Sequence, residues 1–261
     1  MIRTATLALA ALALGPLPAT AQAFDVLIRN GRVLDGSGNP FVYADVGIRG
    51  DRIVALGNLD GATAGRVIDA EGQYVTPGFI GLHEHVAGYF GPGILNGHNR
   101  VENYTTQGFT TAVINTDGFP GIWPLTAQRD SLEKVGHSLN LVPMVGHGGV
   151  REMVMGTEPD EVMRYATEEE LERMRALVRQ GMEDGAFGLS TGLEYTPMRY
   201  SSEHEVRELA KEVAPYGGFF MAHMRSQGRY SKWLLPTHMD HPTQTHVDWL
   251  DAIVEILDVA K

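Results

Sequence analysis

Two histidines separated by one residue, His83 and His85, are the side chains in this sequence best suited to metal chemistry. They directly follow the apolar run Tyr74–Leu82, which predicts a β-strand. Alternate residues of a strand share a face, so both imidazoles would point one way while Glu84 turns to the other side. Two neutral imidazoles at a strand end can bind a divalent transition metal. The helical zinc-protease motif is excluded because its histidines are four residues apart. The alternative is a pair of hydrogen-bonded or surface histidines.

The elements around this motif alternate between strand and helix, which is typical of a parallel βα array. The predicted strands are Tyr74–Leu82, Thr110–Asn115, Leu139–Gly146, Ala186–Ser190 and Gly218–His223, and the clearest helices are Glu168–Glu183, Glu203–Pro215 and Val247–Lys261. Polar residues follow these strands: His83 and His85, Asp117, His147 and Arg151, Ser190 and Thr191, then His223 and Arg225. In a βα barrel all strand ends meet on one face, where active sites form. This convergence favours a functional role for His83, His85 and His223.

Residues 24–73 differ from the rest of the chain. They contain short β-type runs separated by turn signals, among them Asn30-Gly31, Gly50-Asp51 and Asp60-Gly61. Such a pattern predicts hairpins. We expect a small antiparallel, β-sandwich-like subdomain with a structural role.

The first 23 residues resemble a secretory signal. Arg3 precedes an apolar run that Gly15 and Pro16 interrupt, which is too short to cross a bilayer, and Ala21-Gln22-Ala23 matches a cleavage site. We therefore expect export to the periplasm or medium with cleavage after Ala23. The formal net charge of −11 argues against nucleic acid as a partner, and no membrane association is expected. The chain has no cysteine, so it can form no disulfide.

Several segments resemble motifs of a known superfamily. Val75-Thr-Pro-Gly-Phe-Ile-Gly-Leu-His-Glu-His85 looks like the signature of the amidohydrolases, in which a metal-binding H-x-H ends the first barrel strand. Gly146–Arg151, Gly185–Tyr195 and Tyr216–Arg225 are similar to segments of N-acyl-D-amino-acid deacylases. The resemblance runs from about residue 25 to residue 261. It implies an α/β fold of the metal-dependent hydrolase type, a (β/α)8 TIM barrel.

The resemblance also implies metal ligands. His83 and His85 would bind one metal ion and His223 a second, so the site would hold one or two divalent ions, with zinc expected. The D-aminoacylase group usually has a bridging cysteine in a turn after strand two, and here Asp117 takes its place in Asn115-Thr-Asp-Gly118. A carboxylate can bridge two zinc ions as a harder ligand. A turn-forming role is the alternative for Asp117.

The sequence is too short for the closed barrel that the resemblance implies. Eight βα units take about 250 residues, and the part after the small β-unit has room for about five. Relatives continue with a histidine on strand six and an aspartate base after strand eight, so no residue of this chain is assigned as the catalytic base. We expect a partial barrel over residues 74–261, truncated before strand six. Its open strand edges favour self-association or pairing with another chain.

The expected activity is hydrolysis of a linear amide, an N-acyl-D-amino acid or a related N-acyl or carbamoyl compound, by a metal-activated water. The chain is expected to be inactive alone without its missing half. Arg151 and Arg225 can bind a substrate carboxylate, and His147 and Tyr195 can line the pocket. Structural packing is the alternative for all four.

Two other functions remain open. Gly188-Leu-Ser-Thr-Gly192 matches a serine-hydrolase pattern with Ser190 as nucleophile, but the loop containing Pro197 follows where a nucleophile elbow needs a helix. An exported protein that keeps the scaffold only for binding is the other alternative. A phosphate-binding loop at Gly146–Gly149 is not expected, because the residues from Val150 onward do not open a clear helix.

Overall fold

The computed structural model describes residues 23–88, 92–228 and 248–261. The chain divides into two compact units, residues 1–77 and 78–261. The proposed signal peptide spans residues 1–23, of which residues 1–22 lie outside the described ranges, so export and cleavage after Ala23 stay predictions. Within these ranges, no helix combines the length and the hydrophobicity that crossing a bilayer requires.

The described residues of the first unit form one mixed sheet, rather than the expected antiparallel, β-sandwich-like subdomain. Its strands are β1 (Ala23–Val33), β2 (Val42–Arg49), β3 (Arg52–Gly57), β4 (Thr63–Asp69) and β5 (Tyr74–Val75). The order is β3-β2-β1-β4, and β5 also pairs with β1. The β1–β2 and β2–β3 pairs are antiparallel, as the turn signals predict, whereas β4 and β5 run parallel to β1.

The boundary between the two units lies later than the sequence pattern indicates. Arg32 and Val33 of β1 pair with Tyr74 and Val75, so these two residues join the sheet of the first unit. The predicted strand over residues 74–82 is thus divided, and only Phe79–Gly81 forms a strand of the second unit. Main-chain pairing with β1 outweighs the continuous apolar pattern.

The second unit alternates strands and helices. Its strands are β6 (Phe79–Gly81), β7 (Phe109–Ile114), β8 (Asn140–Pro143), β9 (Val145–Gly146), β10 (Gly188–Gly192) and β11 (Phe219–His223). Its helices are α1 (Glu102–Thr105), α2 (Leu125–Val135), α3 (His147–Met155), α4 (Pro159–Val162), α5 (Glu168–Glu183), α6 (Glu203–Lys211) and α7 (Trp249–Val259), with 3₁₀ turns at Ile94–Asn96, Met198–Tyr200 and Ala214–Tyr216.

All described strand pairs of the second unit are parallel. They form two sheets, β6-β7-β8 and β9-β10-β11. Met144 interrupts the predicted strand Leu139–Gly146: β8 pairs with β7, and β9 pairs with β10. Five successive extended segments therefore lie side by side in chain order, as predicted, but the described residues do not form a closed barrel.

Helix α5 begins and ends where the sequence predicts. The Thr167 hydroxyl accepts the Glu170 amide while the Glu170 carboxylate accepts the Thr167 amide, so two otherwise unpaired donors are satisfied at the helix start. Its apolar face joins the main core, which consists of Leu125, Val145, Val150, Met155, Leu171, Met174, Val178, Met182, Ala186, Leu189, Leu209 and Val213. This core lies between helices α2, α3, α5 and α6 on one side and strands β9 and β10 on the other.

Helix α3 begins at His147, where the sequence indicates no clear helix. Its two early glycines are needed for close packing. A Cβ at Gly148 would lie 2.8 Å from the Gly118 carbonyl oxygen, and one at Gly149 would lie 2.7 Å from the Pro120 side chain. Glycine disfavours a helix by about 1 kcal/mol relative to alanine, and here tertiary contact outweighs that cost.

Replacing Leu189 by alanine should destabilise the second unit. Leu189 is 1% exposed in the core, so its truncation leaves a cavity and should lower the free energy of unfolding by about 2–5 kcal/mol. Leu257→Ala is the control, because Leu257 is 58% exposed and should change it by less than about 0.5 kcal/mol. Urea unfolding followed by tryptophan fluorescence measures this, since all three tryptophans lie in residues 78–261. Equal effects of the two variants would contradict the described core.

Candidate metal centre

The carboxylate of Asp117 lies between the two histidines of the H-x-H motif. Its Oδ1 is 3.1 Å from Nε2 of His83, and its Oδ2 is 3.3 Å from Nε2 of His85. The Asp117 side chain is 7% exposed, whereas the two imidazoles are 43% and 42% exposed. Three nitrogen and oxygen ligand atoms, one from each residue, lie within 4.8 Å of one another. The three residues thus form one compact cluster.

The cluster meets the chemical requirements of a divalent metal. Asp117 Oδ1 is buried, and among the described residues no group donates a hydrogen bond to it. A buried carboxylate oxygen without a donor is costly unless a cation compensates it. Imidazole nitrogen and carboxylate oxygen are both ligands that zinc accepts. The residues present therefore fit a zinc-type ion.

The backbone of the turn after β7 sets the position of Asp117. Asn115 and Asp117 have φ of 60° and 57°, in the left-handed region that asparagine and aspartate tolerate better than other non-glycine residues. The Ser190 hydroxyl donates to the Asn115 carbonyl at 2.5 Å and accepts the Gly118 amide at 3.1 Å. The turn is therefore fixed to β10, and its aspartate is directed into the protein.

The two histidines lie beyond their strand rather than at its last position. Strand β6 ends at Gly81, yet His83 and His85 both reach Asp117, and their ring centroids are 5.5 Å apart. Glu84 hydrogen-bonds with Tyr104. Burial, with a further contribution from Glu84, raises the pKa of Tyr104 to about 12.

His223, at the end of β11, lies beside the cluster. Its Nδ1 is 3.6 Å from Asp117 Oδ1, and its Nε2 is 3.0 Å from Glu194 Oε2. The Tyr195 hydroxyl is 3.1 Å from Nδ1. The structure therefore brings together all four residues that the sequence indicates as ligands, His83, His85, Asp117 and His223.

Tyr195 is the predicted pocket residue that lies at this centre. Its ring stacks at an angle on His223, with centroids 4.5 Å apart. Burial, followed by the negative charges of Asp117 and Glu194, raises the pKa of Tyr195, so the hydroxyl keeps its proton at neutral pH. Tyr195 can therefore donate a hydrogen bond at the edge of the cluster.

His147 and Arg151 lie in a buried ionic group below the surface. His147 Nε2 is 2.7 Å from Glu205 Oε1, and Nδ1 is 2.8 Å from the Thr191 hydroxyl. Arg151 donates from Nη1 to both Glu205 oxygens, at 2.5 and 2.6 Å. Burial lowers the pKa of His147 despite the opposing effect of Glu205. Burial alone would raise the pKa of Glu205, but His147 and Arg151 outweigh it and the pKa lies below its usual value.

Arg225 lies in a second buried pair. Its Nε faces both oxygens of Glu255 on α7 at 2.8 Å, and its Nη groups donate to the carbonyls of Arg199 and Ser201. Arg151 and Arg225 are both 0% exposed. These contacts support the structural alternative for both arginines and for His147, and a role in binding substrate stays a prediction for all three.

Sequence reasoning missed the carboxylates that partner these residues. Glu194, Glu205 and Glu255 are buried, and each faces a histidine or arginine. One signal was available for Glu194, since it lies two residues after the end of β10 and directly precedes Tyr195. No comparable signal marks Glu205 or Glu255, because each lies on an amphipathic helix among other acidic residues.

A pocket of about 350 Å³ lies beside His85. Apolar and neutral polar side chains dominate its lining, and Glu84 supplies an acidic group; the full set is Glu84, His85, Ala87, Gly88, Leu95, Asn96, Asn115, Thr116, Phe119, Pro120, Gly121, Ile122 and Gln128. The pocket thus joins the candidate metal cluster through His85, and it could receive part of a small molecule.

Replacing Glu205 by glutamine should be strongly destabilising. The amide keeps the shape of the side chain but leaves the buried charge of Arg151 uncompensated, which typically costs about 3–5 kcal/mol. Glu208→Gln on the same helix is the control, because its partner Lys211 is exposed and such pairs contribute about 1 kcal/mol or less. Urea unfolding of both variants measures the difference. A small effect of Glu205→Gln, equal to that of the control, would contradict the buried ion pair.

Comparison with known proteins places this arrangement among metal-dependent hydrolases. No family model matches the chain. D-aminoacylase of Alcaligenes xylosoxydans xylosoxydans is 34% identical over 232 residues, which cover 80% of this chain and 46% of that protein. The chain thus spans about half the length of the curated relatives it matches.

Solved structures agree with the sequence match. A D-aminoacylase described as having a binuclear metal centre superposes with a TM-score of 0.72 at 30% identity, over 91% of this chain and 49% of that one. N-acyl-D-glutamate deacylase of Bordetella bronchiseptica, solved with zinc and a phosphonate inhibitor, gives a TM-score of 0.72 at 26% identity, over 92% and 49% of the two chains. The chain is therefore a relative of the D-aminoacylases within the amidohydrolase superfamily, as its motifs indicate.

Proposed function

We propose that the second unit holds one or two zinc ions and serves the hydrolysis of an N-acyl-D-amino acid. The observation that carries this proposal is the buried Asp117 carboxylate, which lies within 3.1 and 3.3 Å of two imidazole nitrogens and has a donor-free oxygen among the described residues. His83, His85 and Asp117 would hold one ion, and His223 would contribute to a second. A divalent ion at such a site supplies a Lewis acid and lowers the pKa of a bound water.

Residues of this chain would orient the substrate at that site. The Tyr195 hydroxyl keeps its proton and lies 3.1 Å from Nδ1 of His223; with that nitrogen bound to a metal, the hydroxyl would be available to donate a hydrogen bond to an oxygen of the substrate. The pocket beside His85 has a mostly apolar and neutral polar lining. This lining suits an acyl group or a neutral amino-acid side chain better than an acidic one, because Glu84 would repel a second carboxylate.

The proposed substrate class draws on the relatives. D-aminoacylase and the N-acyl-D-aspartate and N-acyl-D-glutamate deacylases are each 32–34% identical to this chain. The chain spans about half of their length. The proposed metal binding needs only residues that the structure describes, whereas the proposed turnover would also draw on groups that the relatives have elsewhere.

Zinc titration tests the proposed site directly. The protein should bind zinc, and Asp117→Asn should weaken that binding by more than the roughly 10–100-fold typical of residues that only support a ligand, because the amide removes the negative charge. His204→Gln is the control, since His204 is exposed on α6 and pairs only weakly with Glu168 at 3.6 Å. Isothermal titration or competition with a chelator measures the affinities. Equal affinities of the wild type and Asp117→Asn would reject the site.

Hydrolysis assays test the reaction class. Any release of free amino acid from N-acetyl-D-methionine should require zinc, should stop on chelation and should be lost in Asp117→Asn. Cleavage of N-acetyl-D-methionine should exceed that of N-acetyl-D-glutamate, owing to the neutral lining beside Glu84. Zinc binding without any turnover would leave the metal site standing and count against the proposed reaction in this chain alone, and turnover that chelators leave unchanged would reject a metal-dependent reaction.

A further inference from the structure

We propose that Glu194 is a positioning residue: it fixes the tautomer of His223 and so presents Nδ1 of His223 to the metal centre at Asp117. This inference rests on the proposed metal site and concerns a residue outside its ligand set. It starts from the position of the Glu194 carboxylate, which is fully buried and lies two residues after the end of β10.

The contact between the two side chains defines the proton position. Glu194 Oε2 lies 3.0 Å from Nε2 of His223. A carboxylate accepts hydrogen bonds and donates none, so Nε2 must carry the hydrogen of this pair. In a neutral imidazole the other nitrogen is then an acceptor. Nδ1 of His223 therefore keeps its lone pair.

One neighbour of Nδ1, the Tyr195 hydroxyl, agrees with that assignment. The Tyr195 hydroxyl, at 3.1 Å, can donate a hydrogen bond to Nδ1. Asp117 Oδ1 lies 3.6 Å from the same atom, so two acceptors face each other there, an arrangement that a cation between them would stabilise. The amide nitrogen of Gln227 is 3.3 Å from Nδ1 and 3.2 Å from Nε2. Because Gln227 is nearly equidistant from the two nitrogens, it selects neither tautomer.

A second carboxylate–histidine pair in the same unit shows what distinguishes this one. Glu205 faces Nε2 of His147 at 2.7 Å, and Nδ1 of His147 is used by the Thr191 hydroxyl at 2.8 Å. His147 is 0% exposed, whereas the His223 side chain is 12% exposed. The carboxylate–imidazole hydrogen bond thus stabilises buried packing at His147, whereas at His223 it leaves Nδ1 as an acceptor beside Asp117. A carboxylate that holds a metal-binding imidazole in one tautomer raises its affinity for the metal.

The tautomer can be measured without metal. Imidazole ¹⁵N chemical shifts of the metal-free protein at about pH 8, assigned with His223→Gln, report which ring nitrogen carries the proton. The wild type should show His223 protonated at Nε2. Glu194→Gln and Glu194→Ala should give a mixture of tautomers. Glu208→Gln, which also removes one negative charge but lies on α6 and pairs with Lys211 rather than with a histidine, should leave the signals unchanged.

Zinc affinity gives the second readout. The zinc ion to which His223 contributes should bind about 10–100-fold more weakly in both Glu194 variants than in the wild type, whereas Glu208→Gln should bind it as the wild type does. Glu194→Gln has nearly the same volume as the native residue, so it serves if Glu194→Ala does not fold, as checked by circular dichroism.

The outcomes separate this inference from the proposed function. A wild-type His223 protonated at Nδ1, or Glu194 variants with unchanged tautomer and zinc affinity, would overturn the positioning role and leave the metal site intact. Failure of the wild type to bind zinc would reject the metal site, and the proposed role of Glu194 with it.

Discussion

The buried carboxylate of Asp117 is the constraint on which the candidate site depends. A charged group removed from water must be compensated by hydrogen bonds or by opposite charge. Here Oδ1 has no hydrogen-bond donor among the described residues, while imidazoles of His83, His85 and His223 surround the group at 3.1–3.6 Å. This is a poor arrangement for a structural aspartate and a good one for a metal ligand.

The strand order and the turn after β7 place the Asp117 carboxylate between these imidazoles. Parallel strands in chain order bring their carboxyl ends to one side, and the site residues follow strands β6, β7, β10 and β11. The left-handed turn at Asn115 and Asp117 reverses the chain after β7, and Ser190 fixes that turn to β10. The Ser190 hydroxyl is thus engaged by the backbone that holds the aspartate, which is a structural reason for a serine in the G-x-S-x-G pattern.

The parts of this arrangement that follow from local rules could be predicted from the sequence. The H-x-H spacing, the polar residues after each strand and the bounds of helix α5 are read from neighbouring residues, and the structure agrees with each. The proposed ligand role of Asp117 follows instead from the family resemblance, since an aspartate before a glycine is by itself an ordinary turn.

The parts that depend on distant partners could not be predicted. Arg151 and Arg225 follow strands, as substrate-binding arginines can, but their carboxylate partners lie 54 and 30 residues further along the chain. The helix at His147 forms because two glycines allow contact with Gly118 and Pro120. Helix propensity alone does not predict such a tertiary contact. The division of the predicted third strand at Met144 likewise depends on which neighbour each half pairs with.

The central claim is that Asp117 and the two histidines bind one metal ion. A crystal of the zinc-loaded protein, measured on both sides of the zinc absorption edge, tests it most directly. The account predicts an anomalous peak about 2.0–2.2 Å from nitrogens of His83 and His85 and from a carboxylate oxygen of Asp117. Zinc found only elsewhere on the protein, with the Asp117 carboxylate still without a cation, would contradict it.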